Sequence, residues 1–183
     1  KLNSSCRRLD DPKITKSIFV GIQTSADYIY HLKRVAPDRY LIQLKKLEGQ
    51  KTKPAPEEVE IEDAIMHPLV SGEEANRYQA PETDTYLLFP YEVINGDVRL
   101  ITQDEMAARF PKAWRHLKCY EDDLRGRENG KMDKGDKWWA YVYPKNLDKQ
   151  ETIKLLVPRL CLDLASTPDP KGSFYIDNVD VGG

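Results

Sequence analysis

No glycine-rich phosphate loop occurs in the 183 residues. GxGxxG and GxxxxGK followed by Ser or Thr are both missing, so the backbone N–H cradle that nucleotide cofactors use is absent. No GxSxG elbow offers a serine nucleophile. Cysteine is scarce and scattered, at Cys6, Cys119 and Cys161, without a CxxC pair, which argues against zinc. Such a set fits a reducing compartment better than secretion, so the expected localisation is cytoplasmic. His31, His67 and His116 have no carboxylate or cysteine at ligand spacing, and no metal is expected. No apolar run is long enough to span a bilayer, and no charged-then-apolar leader marks secretion. An excess of positive charge is lacking too. Lys and Arg total 28 against 30 Asp and Glu, a net charge of −2. That disfavours a stand-alone nucleic-acid binder held by charge alone.

What is there fits a compact α+β domain. The hydrophobic share is 40% and the charged share 32%, a globular balance. The chain starts at Lys1 rather than Met, which suggests a piece of a longer protein. "SIFVGI" at 17–22 reads as a buried strand. "DYIYHLKRV" and "RYLIQLKKL" alternate around a Pro37-Asp38 turn and predict an antiparallel hairpin. "EGQKTKPAPEE" reads as an exposed loop, and "VEIEDAI" as a short strand or turn. "SGEEANRYQ" starts with a Ser71/Glu74 capping pattern. "TYLLFPYEV" reads as one apolar strand, followed by a tight turn at Asn95-Gly96-Asp97 and a returning "VRLI". Thr102 and Glu105 form a capping box. Pro111 suits the first turn of a second helix, along which Ala113, Trp114, Leu117, Tyr120 and Leu124 make an apolar stripe. Residues 125–137 read as a mobile charged loop, with strands expected at 138–143, 154–162 and 173–177. The predicted fold class is α+β, mostly antiparallel sheet with hairpins and one or two amphipathic helices.

With nucleotide, zinc and serine chemistry set aside, only Asp169-Pro170-Lys171 answers a nuclease-like search, and a proline-rich turn is a poor setting for it. A binding module becomes the better class. The richest stretch is "DKWWAYVYPKN" at 136–146. As a strand it would put Trp139, Tyr141 and Tyr143 on one face, with Trp138, Ala140 and Val142 on the other, mostly in the core. Its exit at Tyr143-Pro144-Lys145-Asn146 carries a second reading. Asn can bond an adenine edge twice, and Lys can meet phosphate or guanine.

Four stretches in order carry a family resemblance: "FVGIQTSADYIYHL", "HPLVSGEEANRY", "YLLFPYE" with "FPKAWRHLKCYEDDLRGR", and "WWAYVYPKNLDKQETIKLLVPRL". Together they resemble the TaqI-like target-recognition domain of N6-adenine DNA methyltransferases and fused type IIG restriction–modification enzymes, over roughly residues 17 to 178. The resemblance divides the chain into 1–16, a linker or helix remnant from an upstream methyltransferase domain, and 17–183, the recognition domain. It implies a bacterial defence enzyme whose other domain binds S-adenosylmethionine and flips the target adenine. The Gly-rich loop and Asn-Pro-Pro-Tyr motif of that domain do not occur here. The chain itself is then expected to lack catalytic residues and cofactor, and to have double-stranded DNA and the N-terminal methyltransferase domain as partners.

The site residues the resemblance implies are Gln23, Thr24 and Ser25 in a turn that touches DNA or merely re-aims a strand. Arg77 and Tyr78 follow a polar turn, where Arg77 meets phosphate or pairs with Glu73 or Glu74. Arg125 and Arg127, with Lys131, Lys134 and Lys137, follow phosphates or form a solvated loop. Tyr143, Lys145 and Asn146 are the base readers. Arg159 contacts DNA or is a paired strand residue. The alternative class is a protein-interaction or scaffold domain of a phage-defence complex. A carbohydrate-binding module, suggested by exposed aromatics, fits the cysteine usage poorly.

Overall fold

A computed structural model describes residues 6–42, 55–72, 74, 79–133, 135–158, 166–178, 181 and 182. Within them lie four helices and eleven strands. The fold is α+β, with all strand pairs antiparallel but one. A helical turn α1 (Asp27–Tyr30) leads into β1 (His31–Ala36), β2 (Arg39–Ile42) and β3 (Glu57–Glu60). Then come β4 (Met66–Val70), β5 (Thr85–Leu88) and the hairpin β6 (Tyr91–Ile94) with β7 (Asp97–Leu100). Helices α2 (Gln103–Arg109), α3 (Pro111–Cys119) and α4 (Glu121–Gly130) follow. The chain closes with β8 (Lys154–Pro158), β9 (Thr167–Asp169), β10 (Tyr175–Ile176) and β11 (Val181–Gly182). The main sheet runs β10-β4-β5-β1-β2-β3, and the smaller one β11-β8-β9.

Local chemistry explains most of these elements. The predicted hairpin forms as β1 and β2, paired around Pro37-Asp38. Asn95 and Gly96 take the positive φ angles of 53° and 88° that the β6–β7 turn requires. The Thr102/Glu105 capping box is present at the head of α2. Pro111 opens α3, and the Glu62 carboxylate accepts the N–H groups of Lys112 and Ala113 at 2.8 and 2.9 Å. That carboxylate satisfies two donors the helix cannot. Met106, Trp114, Leu117 and Leu124 from the helices join Leu32, Tyr40 and Leu87 from the sheet in one apolar cluster. Phe19, Val70, Leu156 and Ile176 form a second cluster, linking the main sheet to the small one.

Five expectations need correction. "DYIY" is helical rather than extended, because the Thr24 hydroxyl accepts the Ala26 N–H and donates to Asp27, folding the chain into a turn. The 17–22 stretch is not a buried strand, since Ile18 and Val20 are exposed and only isolated bridges form there. "TYLLFPYEV" breaks into β5 and β6 at Phe89-Pro90, where proline supplies no ladder donor. Helix α4 (Glu121–Gly130) reaches into the loop expected from 125, but its helical geometry ends before Arg127, and Glu128 and Asn129 are left-handed. Arg127, with φ −57° and ψ 143°, interrupts its helical geometry. Finally, 138–143 forms turns and a single bridge instead of a strand. The stretch "SGEEANRYQ", read as starting a helical turn, lies largely outside the described residues. Its Ser71 N–H and hydroxyl do donate to the Glu74 carboxylate. No helix of the described residues is long and apolar enough to cross a membrane.

Candidate nucleic-acid interface

The main sheet does not stop at β10. Ile22 bridges Asp177 in parallel, and Gln23 bridges Tyr143 in antiparallel fashion. The Ile22 N–H donates to the Ile176 carbonyl at 2.7 Å, and the Asn178 N–H donates to Ile22 at 3.0 Å. This seam depends on Gly21, where a Cβ would sit 2.4 Å from the Asp177 carbonyl carbon and the Ile176 oxygen. Only glycine allows so close a backbone approach.

The seam brings the 20–25 segment against the end of the aromatic run. Gln23 is exposed beside half-buried Tyr143, with Lys145 exposed next to it. Asn146 adopts a left-handed conformation, φ 57°, and its amide donates to the Val20 carbonyl at 3.1 Å. Buried Gln150 secures this corner, donating to the Asn146 carbonyl at 2.9 Å and accepting the Ile176 N–H at 3.0 Å. The Lys131 ammonium lies 4.4 Å from the centroid of the Tyr143 ring, and that of Lys149 lies 5.5 Å from the Phe19 ring. Three lysines thus flank a polar and aromatic strip made of Gln23, Tyr143 and Asn146. No ion pair holds any of the three among the described residues.

The other sequence candidates divide. Thr24 is fully buried, its hydroxyl engaged at the head of α1, so it supports the turn and presents nothing to a ligand. Ser25 takes φ 58°, and its buried hydroxyl has no hydrogen-bond partner among the described residues. Arg125 pairs with Glu121 at 2.8 Å and lies over the Trp138 ring at 5.7 Å, leaving its charge half committed. Arg127 corrects the phosphate reading outright. Its buried guanidinium donates to the carbonyls of Leu124, Thr24, Trp138 and Ala140, at 2.8, 2.8, 2.6 and 2.8 Å. It ties together the turn, the helix end and the aromatic run, with four of its five N–H donors given to backbone carbonyls. Lys137 is exposed. Arg77, Tyr78, Lys134 and Arg159 lie outside the described residues.

Reasoning from sequence missed Gln150, Lys149 and Phe19. "NLDKQ" offers no signal for a buried glutamine, because its partner, Ile176, is distant in the chain. A lysine near an aromatic is too common to single out without the fold. Asp169, the one nuclease-like candidate, is a buried structural acid. Its carboxylate accepts from Lys154 at 2.7 Å and from the N–H groups of Phe174 and Ser173 at 3.0 and 2.9 Å. Burial alone would raise its pKa, but these donors hold it below the ordinary carboxylate value. Burial likewise depresses Lys154, against the pull of Asp169. Three of the roughly four acceptor sites of this carboxylate are taken, and the residue is buried, which suits a structural charge pair. No protein-family model matches the chain.

Proposed function

We propose that this chain is the DNA target-recognition module of a restriction–modification N6-adenine methyltransferase, without catalytic residues of its own. The observation that carries the reading is the meeting of Gln23, Tyr143, Lys145 and Asn146 on one surface, flanked by Lys131 and Lys149. Amide and aromatic groups suit base edges, and unpaired lysines suit phosphate. Double-stranded DNA is the partner. A methyltransferase domain of the parent, which binds S-adenosylmethionine, supplies the chemistry in the bacterial cytoplasm. With a net charge of −2, long-range attraction is weak and local lysines carry the affinity. Random duplex should bind at roughly 10⁻⁴ to 10⁻⁶ M, with steep salt dependence.

Fluorescence anisotropy with labelled duplex at low and moderate salt tests this. Binding that weakens steeply with salt supports the reading, while no binding at low salt defeats it. Calorimetric titration with S-adenosylmethionine should give no one-to-one heat. One feature favours the second reading, a protein-interaction domain. Ile153, just before β8, and Leu155 and Val157 within it are exposed at alternate positions, an apolar row suited to another protein surface. Absent DNA binding together with capture of the parent's own catalytic domain would favour that reading.

A further inference from the structure

We infer that the turn at Glu128–Gly130 is a positioning device that holds the Lys131 ammonium on the Tyr143 ring as a preset contact for a nucleic-acid phosphate. The inference rests on the DNA-recognition reading for its ligand, and on the geometry of the turn for its mechanism. Three successive residues are left-handed: Glu128 at φ 50°, Asn129 at φ 59° and Gly130 at φ 78°. Glycine and asparagine tolerate that region. Glutamate does so only when its surroundings hold it there. Both Glu128 and Asn129 are exposed, so their side chains are not what the strained backbone serves.

The surroundings that hold the turn are visible on either side. Before it, Arg127 is pinned through its four carbonyl contacts, which reach Thr24 and the aromatic run. After it, the Lys131 N–H donates back to the Arg127 carbonyl at 3.1 Å. The product of the turn is the placement of Lys131 over Tyr143 at 4.4 Å. Tyr143 in turn is fixed by its bridge to Gln23. A lysine normally loses several rotatable bonds' freedom when it meets a phosphate. Here the ring attracts the cation and orders it beforehand, so less freedom is lost on binding.

The test compares wild type with the double variant Glu128→Gly, Asn129→Gly, and with Lys131→Met. Glycine accepts left-handed angles without steric cost, so the double variant should stay folded, with a thermal midpoint close to wild type. It should bind duplex several-fold more weakly with the slope of log K against log salt kept, because Lys131 can still reach the phosphate once its freedom is given up. Lys131→Met should lower that slope by about 0.9, the share of one phosphate contact. Nuclear magnetic resonance supplies a readout without DNA: the Lys131 side-chain protons should be shifted upfield by the Tyr143 ring in wild type and not in the double variant. An unchanged slope in Lys131→Met overturns the phosphate contact. Absence of the upfield shift in wild type overturns the positioning. A wild-type chain that binds no duplex while showing the shift defeats the DNA reading and leaves the stack as a feature of the fold.

Discussion

The two halves of residues 138–146 belong to one aromatic-rich run and end in opposite surroundings. Trp138, Trp139 and Tyr141 are buried, whereas Pro144 and Lys145 are exposed. In the first half the backbone is satisfied by side chains instead of a neighbouring strand. Arg127 donates to the carbonyls of Trp138 and Ala140, the Tyr30 hydroxyl donates to that of Trp139, and the Tyr91 hydroxyl accepts the Tyr141 N–H. Buried backbone groups must find partners, and here the partners leave the chain free to turn. Both tryptophans can then face the same helix, with Trp138 stacked on Trp114 and Trp139 edge-on to it, each at 5.3 Å between centroids. In the second half one bridge to Gln23 is followed by a proline, and the Pro144 and Lys145 side chains are left to solvent. Burial in this run is decided by which distant groups reach its carbonyls, which is why Tyr141 lies in the core and Tyr143, two residues on, is half-buried.

The contrast is broken most directly at Trp139. Its indole donates to the Ile101 carbonyl at 3.0 Å and packs on Trp114. Trp139→Ala should cost about 3–5 kcal/mol in a urea unfolding curve. A loss below about 1 kcal/mol would mean the buried half is not core.

Next in size is the seam that joins the two halves to the sheet. Gly21→Ala puts a methyl group into the Asp177 backbone and should destabilise by about 2–3 kcal/mol, as overpacking does. It should also disturb the Gln23–Tyr143 bridge. Amide exchange at Ile22 and Asn178, whose N–H groups make the seam, should quicken beyond what global unfolding predicts. Equal protection in the variant would contradict the close approach.

How much of this was legible in the sequence follows from the range of each interaction. The Thr102/Glu105 box, the Asn95-Gly96 turn and Pro111 act within a few residues, so they can be read directly. Gln23, Tyr143, Lys145 and Asn146 can be read as residue types, but not as neighbours. The bond from Asn146 to Val20 spans 126 positions and the one from Arg127 to Thr24 spans 103. For the same reason Arg127 looked like a surface cation in a charged loop. Nothing nearby in the chain reveals that four carbonyls surround it. The aromatic alternation at 138–143 misled because a period of two describes a strand only when a partner strand is available.

A smaller effect separates the halves by pH. His116 is buried on α3, the helix that carries Trp114, beside the Tyr120 ring, and its Nε2 lies 2.9 Å from the Ile29 carbonyl. Burial depresses its pKa, against the opposing influence of that carbonyl. In the unfolded chain an imidazole titrates near about 6.5, so on acidification the unfolded state takes up the proton first. The contribution is complete above that value and is lost as pH falls below it, with a slope of up to about 1.4 kcal/mol per pH unit. Urea titrations from pH 7.5 to 5 should show this loss, and His116→Gln should flatten it. An unaltered slope in the variant would remove His116 as the cause.

Lys145 should give the smallest effect on the fold and the cleanest one on binding. It is exposed, and no ion pair holds it among the described residues. Its backbone N–H donates to the Tyr143 carbonyl, a bond that alanine keeps. Lys145→Ala should therefore move stability by no more than about 0.5 kcal/mol. On duplex DNA it should weaken every sequence alike and lower the salt slope by about one unit, as the loss of a phosphate contact does. If the loss instead falls on particular base pairs, by about 1–3 kcal/mol at one position, Lys145 reads guanine. If neither affinity nor slope changes, the exposed half of the run makes no contact with DNA, and the proposed site at Gln23, Tyr143, Lys145 and Asn146 is wrong.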